Sequence, residues 1–185
     1  MLNLIKKALL SIVLVVMSFS AMAQDSIKMG ALATLEGAFT VLGEDSMRGV
    51  QMALAEFQNM AGGKQIELVT GSSDASPDSA IRAARKLVEQ DGVQILVGPL
   101  SGSEGLAIKD YAKTQPNVTF LNGSSAAQDT TLRNSADNFF RFSTDGAQWM
   151  AGLGEYVYNV KGYRKVAVLA EDLSLIHISE PTRPY

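Results

Sequence analysis

The chain has 185 residues, of which 46% are hydrophobic and 19% charged, with a net charge of −3 and no cysteine. That composition fits one or two globular domains and excludes a disordered chain. It also excludes disulfides and thiolate metal sites, and a mildly acidic balance disfavours nucleic acid as a partner.

The N-terminus reads as a secretory signal over residues 1–23. Lys6-Lys7 precede an apolar run from Ala8 to Met17, and Ala21-Met22-Ala23 form an A-x-A site before Gln24. The run is too short to span a bilayer comfortably, and no stop-transfer pattern follows it. No cysteine is present to carry a lipid. Removing Lys6 and Lys7 leaves 14 basic residues against 19 acidic ones, so the net charge moves to −5. The expected location is the periplasm.

From there, strands and helices alternate. Ile27 to Leu32 is predicted as a strand, and Glu36 to Gly43 as its exit loop. A helix is predicted over Asp45 to Met60, with Val50, Leu54 and Phe57 on one face, ended by Gly62-Gly63. Ile66 to Val69 is the second strand. Ser76-Pro77-Asp78 opens a helix with a capping residue, a first-turn proline and a favourable negative charge. Its apolar stripe is Ile81, Ala84, Leu87 and Val88, and Asp91-Gly92 stops it. Val93 to Val97, a helix from Glu104 to Ala112, and Val118 to Leu121 follow. Phe139 to Phe142 is extended. Asp145 to Gln148 resembles a capping box for a helix through Tyr158, and Val166 to Ala170 is the last strand. This alternation predicts an α/β fold, a parallel sheet with helices on both faces. Ligands then bind outside the carboxyl ends of the strands, where loops 33–43, 98–104 and 122–127 lie.

Residue supply narrows the chemistry of those loops. The stretch after Val97 reads Gly98-Pro99-Leu100-Ser101-Gly102-Ser103-Glu104-Gly105. It lacks the lysine of a phosphate loop, and Glu104 would repel a phosphate. The first exit loop lacks a dinucleotide fingerprint. A nucleophilic serine needs a base, and the only histidine is His177 in the tail; the spacing around Ser101 also misses a nucleophile elbow. Asp74 and Asp78 read as turn and helix-start residues rather than a cation site. No metal and no cofactor is expected. What remains is a helix start with free backbone N–H groups, suited to a carboxylate, where Ser101 and Ser103 either cap the helix or bind a ligand. Glu104 reads as a first-turn partner of the helix dipole.

From Ile27 to Asp172 the chain resembles the type I periplasmic substrate-binding proteins of branched-chain amino acid (Leu/Ile/Val) ABC transporters. The resemblance lies in IKMGAL, GAFTVLGEDSMRGVQMALAEF, IELVTGSSDASPDSAIRAARKLVEQDGVQILVGPLSGSEG, FLNGSS, FFRFSTDGAQ and KVAVLAED, in that order. It implies two α/β lobes that close on a ligand. Residues 24–142 would form the first lobe and 143–172 the start of the second. It places Gly102 and Ser103 in the carboxylate-gripping loop, and Gly123 and Ser125 at the ligand head group. Leu42 falls where many relatives have an aromatic ring, and Gly102 where serine is frequent. The implied role is a non-enzymatic, monomeric receptor for an amino acid, amide or aromatic acid, delivering it to an ABC permease. A sensor lobe of a receptor or amide-responsive regulator, or a flavodoxin-like enzyme, are the alternatives.

The expected second lobe is cut short. Residues 173–185, beginning LSLIHISEPTR, resemble a translated sequencing adapter and are expected to be non-native. Genomic amplification returning codons for that string would overturn the expectation.

Overall fold

In the computed structural model, the described residues are 26–167. The signal segment and the tail lie outside them. A six-stranded sheet organises the chain. Its strands are β1 (Ile27–Thr34), β2 (Met60–Ala61), β3 (Lys64–Ser73), β4 (Ile95–Val97), β5 (Thr119–Asn122) and β6 (Phe139–Arg141), in the spatial order β2-β3-β1-β4-β5-β6. The pairs β1–β3, β1–β4, β4–β5 and β5–β6 are all parallel, as the alternating pattern predicts. Only the short β2 is antiparallel, paired to β3.

Helices cover both faces. Along β1, Ala31 and Ala33 point one way and Leu32 the other, as strand alternation requires. Helix α1 (Thr40–Glu56) packs on the Ala31/Ala33 side through Met47, with Val50 partly buried beside it. Helix α2 (Pro77–Arg85), extended by a π-turn over Lys86–Gln90, and helix α3 (Gly102–Ala112) cover the opposite face. That face holds the larger core, with Leu87, Leu96, Ile108 and Phe120 fully buried. The stripe Ile81, Ala84, Leu87 and Val88 faces it as read. Gly71 makes the seat for Leu87, since a Cβ there would lie 2.7 Å from the leucine Cδ1.

Some expectations shift. Residues 36–43 are not a loop: a 3-10 turn (Gly37–Phe39) leads directly into α1 at Thr40, whose hydroxyl donates to Gly37 O at 2.8 Å. The helix therefore starts five residues early. It also ends early, because Gln58 and Asn59 take left-handed backbone angles, with φ 55° and 53°. Phe57 is thus outside the helix and exposed; the buried face is Gly43, Met47 and Leu54. Gly62-Gly63 is a hairpin turn between β2 and β3, with φ 57° and 77°. The helix predicted from residue 146 breaks into α4 (Gly146–Trp149), a turn at Gly152 with φ 79°, and α5 (Leu153–Glu155) running into a π-turn over Tyr156–Val160. Val166 and Ala167 are not in a strand, and the rest of the strand predicted there lies outside the described residues.

Candidate ligand-binding site

The strand order reverses direction at β1, which has β3 on one side and β4 on the other. Loops leaving β1 and β4 diverge there, and a crevice opens outside their carboxyl ends. A cavity of about 230 Å³ occupies that position. Its floor is Ala31 to Ala33 of β1. Ser46, Met47 and Val50 of α1 form one wall, and Gly98 to Leu100 with Gly123 and Ser124 form the other. No charged side chain lines it.

Close backbone approach shapes this crevice at two glycines. A Cβ on Gly98, whose φ is 123°, would lie 2.2 Å from Leu32 O. A Cβ on Gly43 would lie 1.7 Å from Thr34 O. The first lets the β4 exit loop pass over β1; the second lets α1 sit directly on the end of β1. The Gly98–Pro99 peptide is cis.

Beside the crevice, α3 begins with a complete capping box. Ser101 Oγ accepts from Glu104 N at 3.3 Å, and a Glu104 carboxylate oxygen accepts from Ser101 N at 2.9 Å. Ser101 Oγ also donates to Ala75 O at 3.1 Å, so its hydroxyl is committed to structure. The other Glu104 oxygen accepts from the Ser73 hydroxyl at 2.5 Å, and Glu104 is fully buried. The box leaves the N–H groups of Gly102 and Ser103 in the helix's unpaired first turn. Ser103 is half-buried with its hydroxyl 3.2 Å from that of Ser101. Just upstream, the Ser76 hydroxyl and amide hold the Asp74 carboxyl below its usual range.

Of the six residues read from sequence, Gly123 lines the cavity. Ser101, Gly102 and Ser103 follow the lining residue Leu100 as the start of α3 and are not themselves among the lining residues; Ser101 and Gly102 are buried and Ser103 is half-buried. Leu42 sits half-exposed on α1, one turn before Ser46, rather than on a loop. Ser125 is fully buried, its hydroxyl without a hydrogen-bond partner and packed on α3, where a Cβ on Gly105 would be 2.0 Å from it. Sequence reasoning missed the α1 wall, although Met47 and Val50 follow helical spacing, and missed Arg141. The Arg141 guanidinium donates to Ser125 O at 2.7 Å and to Ala127 O, and burial pushes its pKa down while Asp145 partly restores it. Among the described residues no cluster of metal-ligating side chains occurs, and no helix is long and apolar enough to cross a membrane.

The family described as periplasmic binding protein matches residues 26–181. The chain belongs to the periplasmic binding protein family. An amino acid binding protein of Pseudomonas aeruginosa is 30% identical over 90% of this chain and 45% of its own length. The Leu/Ile/Val-binding protein homolog 7 of Brucella abortus is 28% identical over 84% of this chain and 41% of its own. The solved ABC transporter substrate-binding protein from Sphaerobacter thermophilus is 30% identical, with a TM-score of 0.67, over 76% of this chain and 38% of that one. The chain thus spans less than half the length of these three relatives, and its sheet is one lobe of the type I periplasmic binding protein fold.

Proposed function

We propose that residues 24–142 are the first lobe, and 143–172 the start of the second, of an exported periplasmic receptor. It would act as a monomer, hold a small amino-acid-like or aromatic acid ligand without chemical change, and deliver it to an ABC permease. The observation that carries this reading is the cavity at the reversal of strand order, apolar along β1 and α1, whose lining residue Leu100 leads directly into the first turn of α3. Apolar walls suit a hydrocarbon body, and unpaired amides with the Ser103 hydroxyl suit a carboxylate. The lining residues include no charged or titratable side chain, and such a lining suits a ligand held by its hydrocarbon body. The names of the Pseudomonas and Brucella relatives support an amino acid as the first ligand to test.

The test is calorimetry with the chain completed to its relatives' length, against leucine, an aliphatic amide and 4-hydroxybenzoate. Ser103→Ala should weaken binding of a carboxylate ligand by about tenfold or more, the loss of one hydrogen bond to a charged group. Ser125→Ala should leave affinity nearly unchanged, because its hydroxyl faces α3. Unchanged affinity in Ser103→Ala, or no heat with any of the three, would sink the reading.

A further inference from the structure

Arg141 ends β6 directly beside Asn122, the last residue of β5. Its guanidinium spreads over one loop. Besides Ser125 O and Ala127 O it donates to the hydroxyls of Thr130 and, at 3.2 Å, Thr131. All four acceptors are neutral, and among the described residues no carboxylate lies within ion-pair distance of it. Asn122 shares the work, donating to Ser125 O at 2.9 Å and accepting from Ser125 N at 3.1 Å.

The carbonyl between those two is held as well. Ala126 O accepts from Gly146 N at 2.9 Å, and Gly146 is the first residue of α4, capped by Asp145. Three consecutive carbonyls, those of residues 125, 126 and 127, are thus gripped by donors from 141–146. That is the stretch by which the chain leaves the sheet. A planar trans peptide points its N–H opposite its C=O, so the Ala126 and Ala127 amides face away from the grip. The loop is irregular between β5 and β6 apart from one 3-10 turn; Asn122 and the burial of Ser125, Ala127 and Thr130 tie it to the sheet and α3, and the donors of 141–146 tie it to the departing segment.

We infer that Arg141 is a positioning residue, a strut whose guanidinium fixes the loop 123–131 to the departing segment 141–146 so that the two move as one body. If Gly123 and Ser124 line the ligand cavity, as the proposed function holds, occupancy of the cavity is then transmitted mechanically to whatever follows α4.

Amide hydrogen exchange of the ligand-free 185-residue chain, followed by NMR, tests this. A lysine ammonium cannot reach four acceptors arranged for a planar fork. Arg141→Lys should therefore speed exchange at Gly146 and Thr130 by about tenfold or more, while Leu96 and Phe120 in the core strands keep their wild-type rates. Thr131→Val removes only the Nε acceptor and should give the same pattern at smaller amplitude. Unchanged exchange at Gly146 in both variants overturns the strut. If Arg141→Lys loosens every amide alike, Thr131→Val decides: selective acceleration at Gly146 upholds the strut, and none overturns it. No ligand enters this measurement. Failure of the leucine and 4-hydroxybenzoate titrations would remove the binding reading and leave the strut intact, and the converse holds too.

Discussion

Glu104 combines a carboxylate with complete burial, and what permits this is a donor on each oxygen, the Ser73 hydroxyl and the Ser101 amide. Removing the carboxylate strands both donors in a dry site. Glu104→Ala should therefore cost about 2–4 kcal/mol in urea unfolding, combining unsatisfied polar groups with a small cavity. Glu104→Gln should cost less, because glutamine also serves at this position of a capping box. Gly43 makes a different kind of demand. A methyl group there would strike the backbone of Thr34, and neither backbone can yield without moving α1 off β1. Gly43→Ala should lose about 1–3 kcal/mol or more and distort the cavity wall. Gly49, on the same helix with nothing within 4 Å of its would-be Cβ, is the control: Gly49→Ala should gain about 0.5–1 kcal/mol. Equal effects at the two positions would show that helix propensity, not close approach, governs both. Asp74 adds a pH dependence. Its carboxyl is held low by Ser76, so its contribution is present above the ordinary unfolded value near 4 and is lost as pH falls through the lower folded value. Asp74→Asn should flatten that part of the acid-unfolding curve.

Elements were legible where their signals are chemical and local. Ser76 before Pro77-Asp78, and Ser101 with Glu104, mark helix starts that the structure keeps, because each hydroxyl satisfies an amide the helix itself leaves open. The central strands β1 and β4 read as apolar runs because helices cover the sheet on both faces. The start of α1 gave no such mark: no side chain caps its first turn, and the glycines at 37 and 43 suggested a loop. Gly43 is in fact a contact residue, a role visible only once β1 lies beneath it. In sequence Gly62-Gly63 reads as a helix stop, since a glycine pair signals both stops and hairpins. The structure assigns it to a two-residue turn with both φ values positive, the combination glycine adopts without strain. Gly63→Ala should thus destabilise the chain by about 1 kcal/mol, read as a lower urea midpoint at unchanged slope. A stabilising effect would mean the β2–β3 hairpin is not formed in solution.

At the scale of the molecule, the crevice was legible as three loops but not as a cavity. Ala31, Met47 and Val50 look like ordinary core residues in sequence, and only the order of strands makes them a wall. The described chain also divides sharply in packing. Up to Arg141, the large side chains of the sheet and of the α2–α3 layer close on one another, with Phe140 at the edge strand the exception. After it, Phe142, Trp149, Met150, Leu153, Tyr156, Tyr158, Val160, Tyr163 and Val166 are all exposed, from 47% at Tyr156 to 83% at Phe142. The principal link back is Gly146 on Ala126, and the Trp149 indole N–H donates to the nearby Thr144 hydroxyl at 2.5 Å. Exposed large apolar side chains at this density along one segment suit a surface that packs on something in its working state. In the 185-residue chain it should instead be open to protease and dye. Brief chymotrypsin digestion is expected to cut at Phe142, Trp149 and Tyr156 before the buried Tyr111, Phe120 and Phe139, leaving a protected core that ends near Arg141. Trp149 emission should be that of a water-exposed indole, and 1-anilinonaphthalene-8-sulfonate should bind the intact chain more than the trimmed core. A chain cut as readily at Phe120 as at Phe142 would show that the sheet does not hold together without further partners. A chain resistant at Trp149 would show that the segment after Arg141 packs more tightly than its exposure here allows.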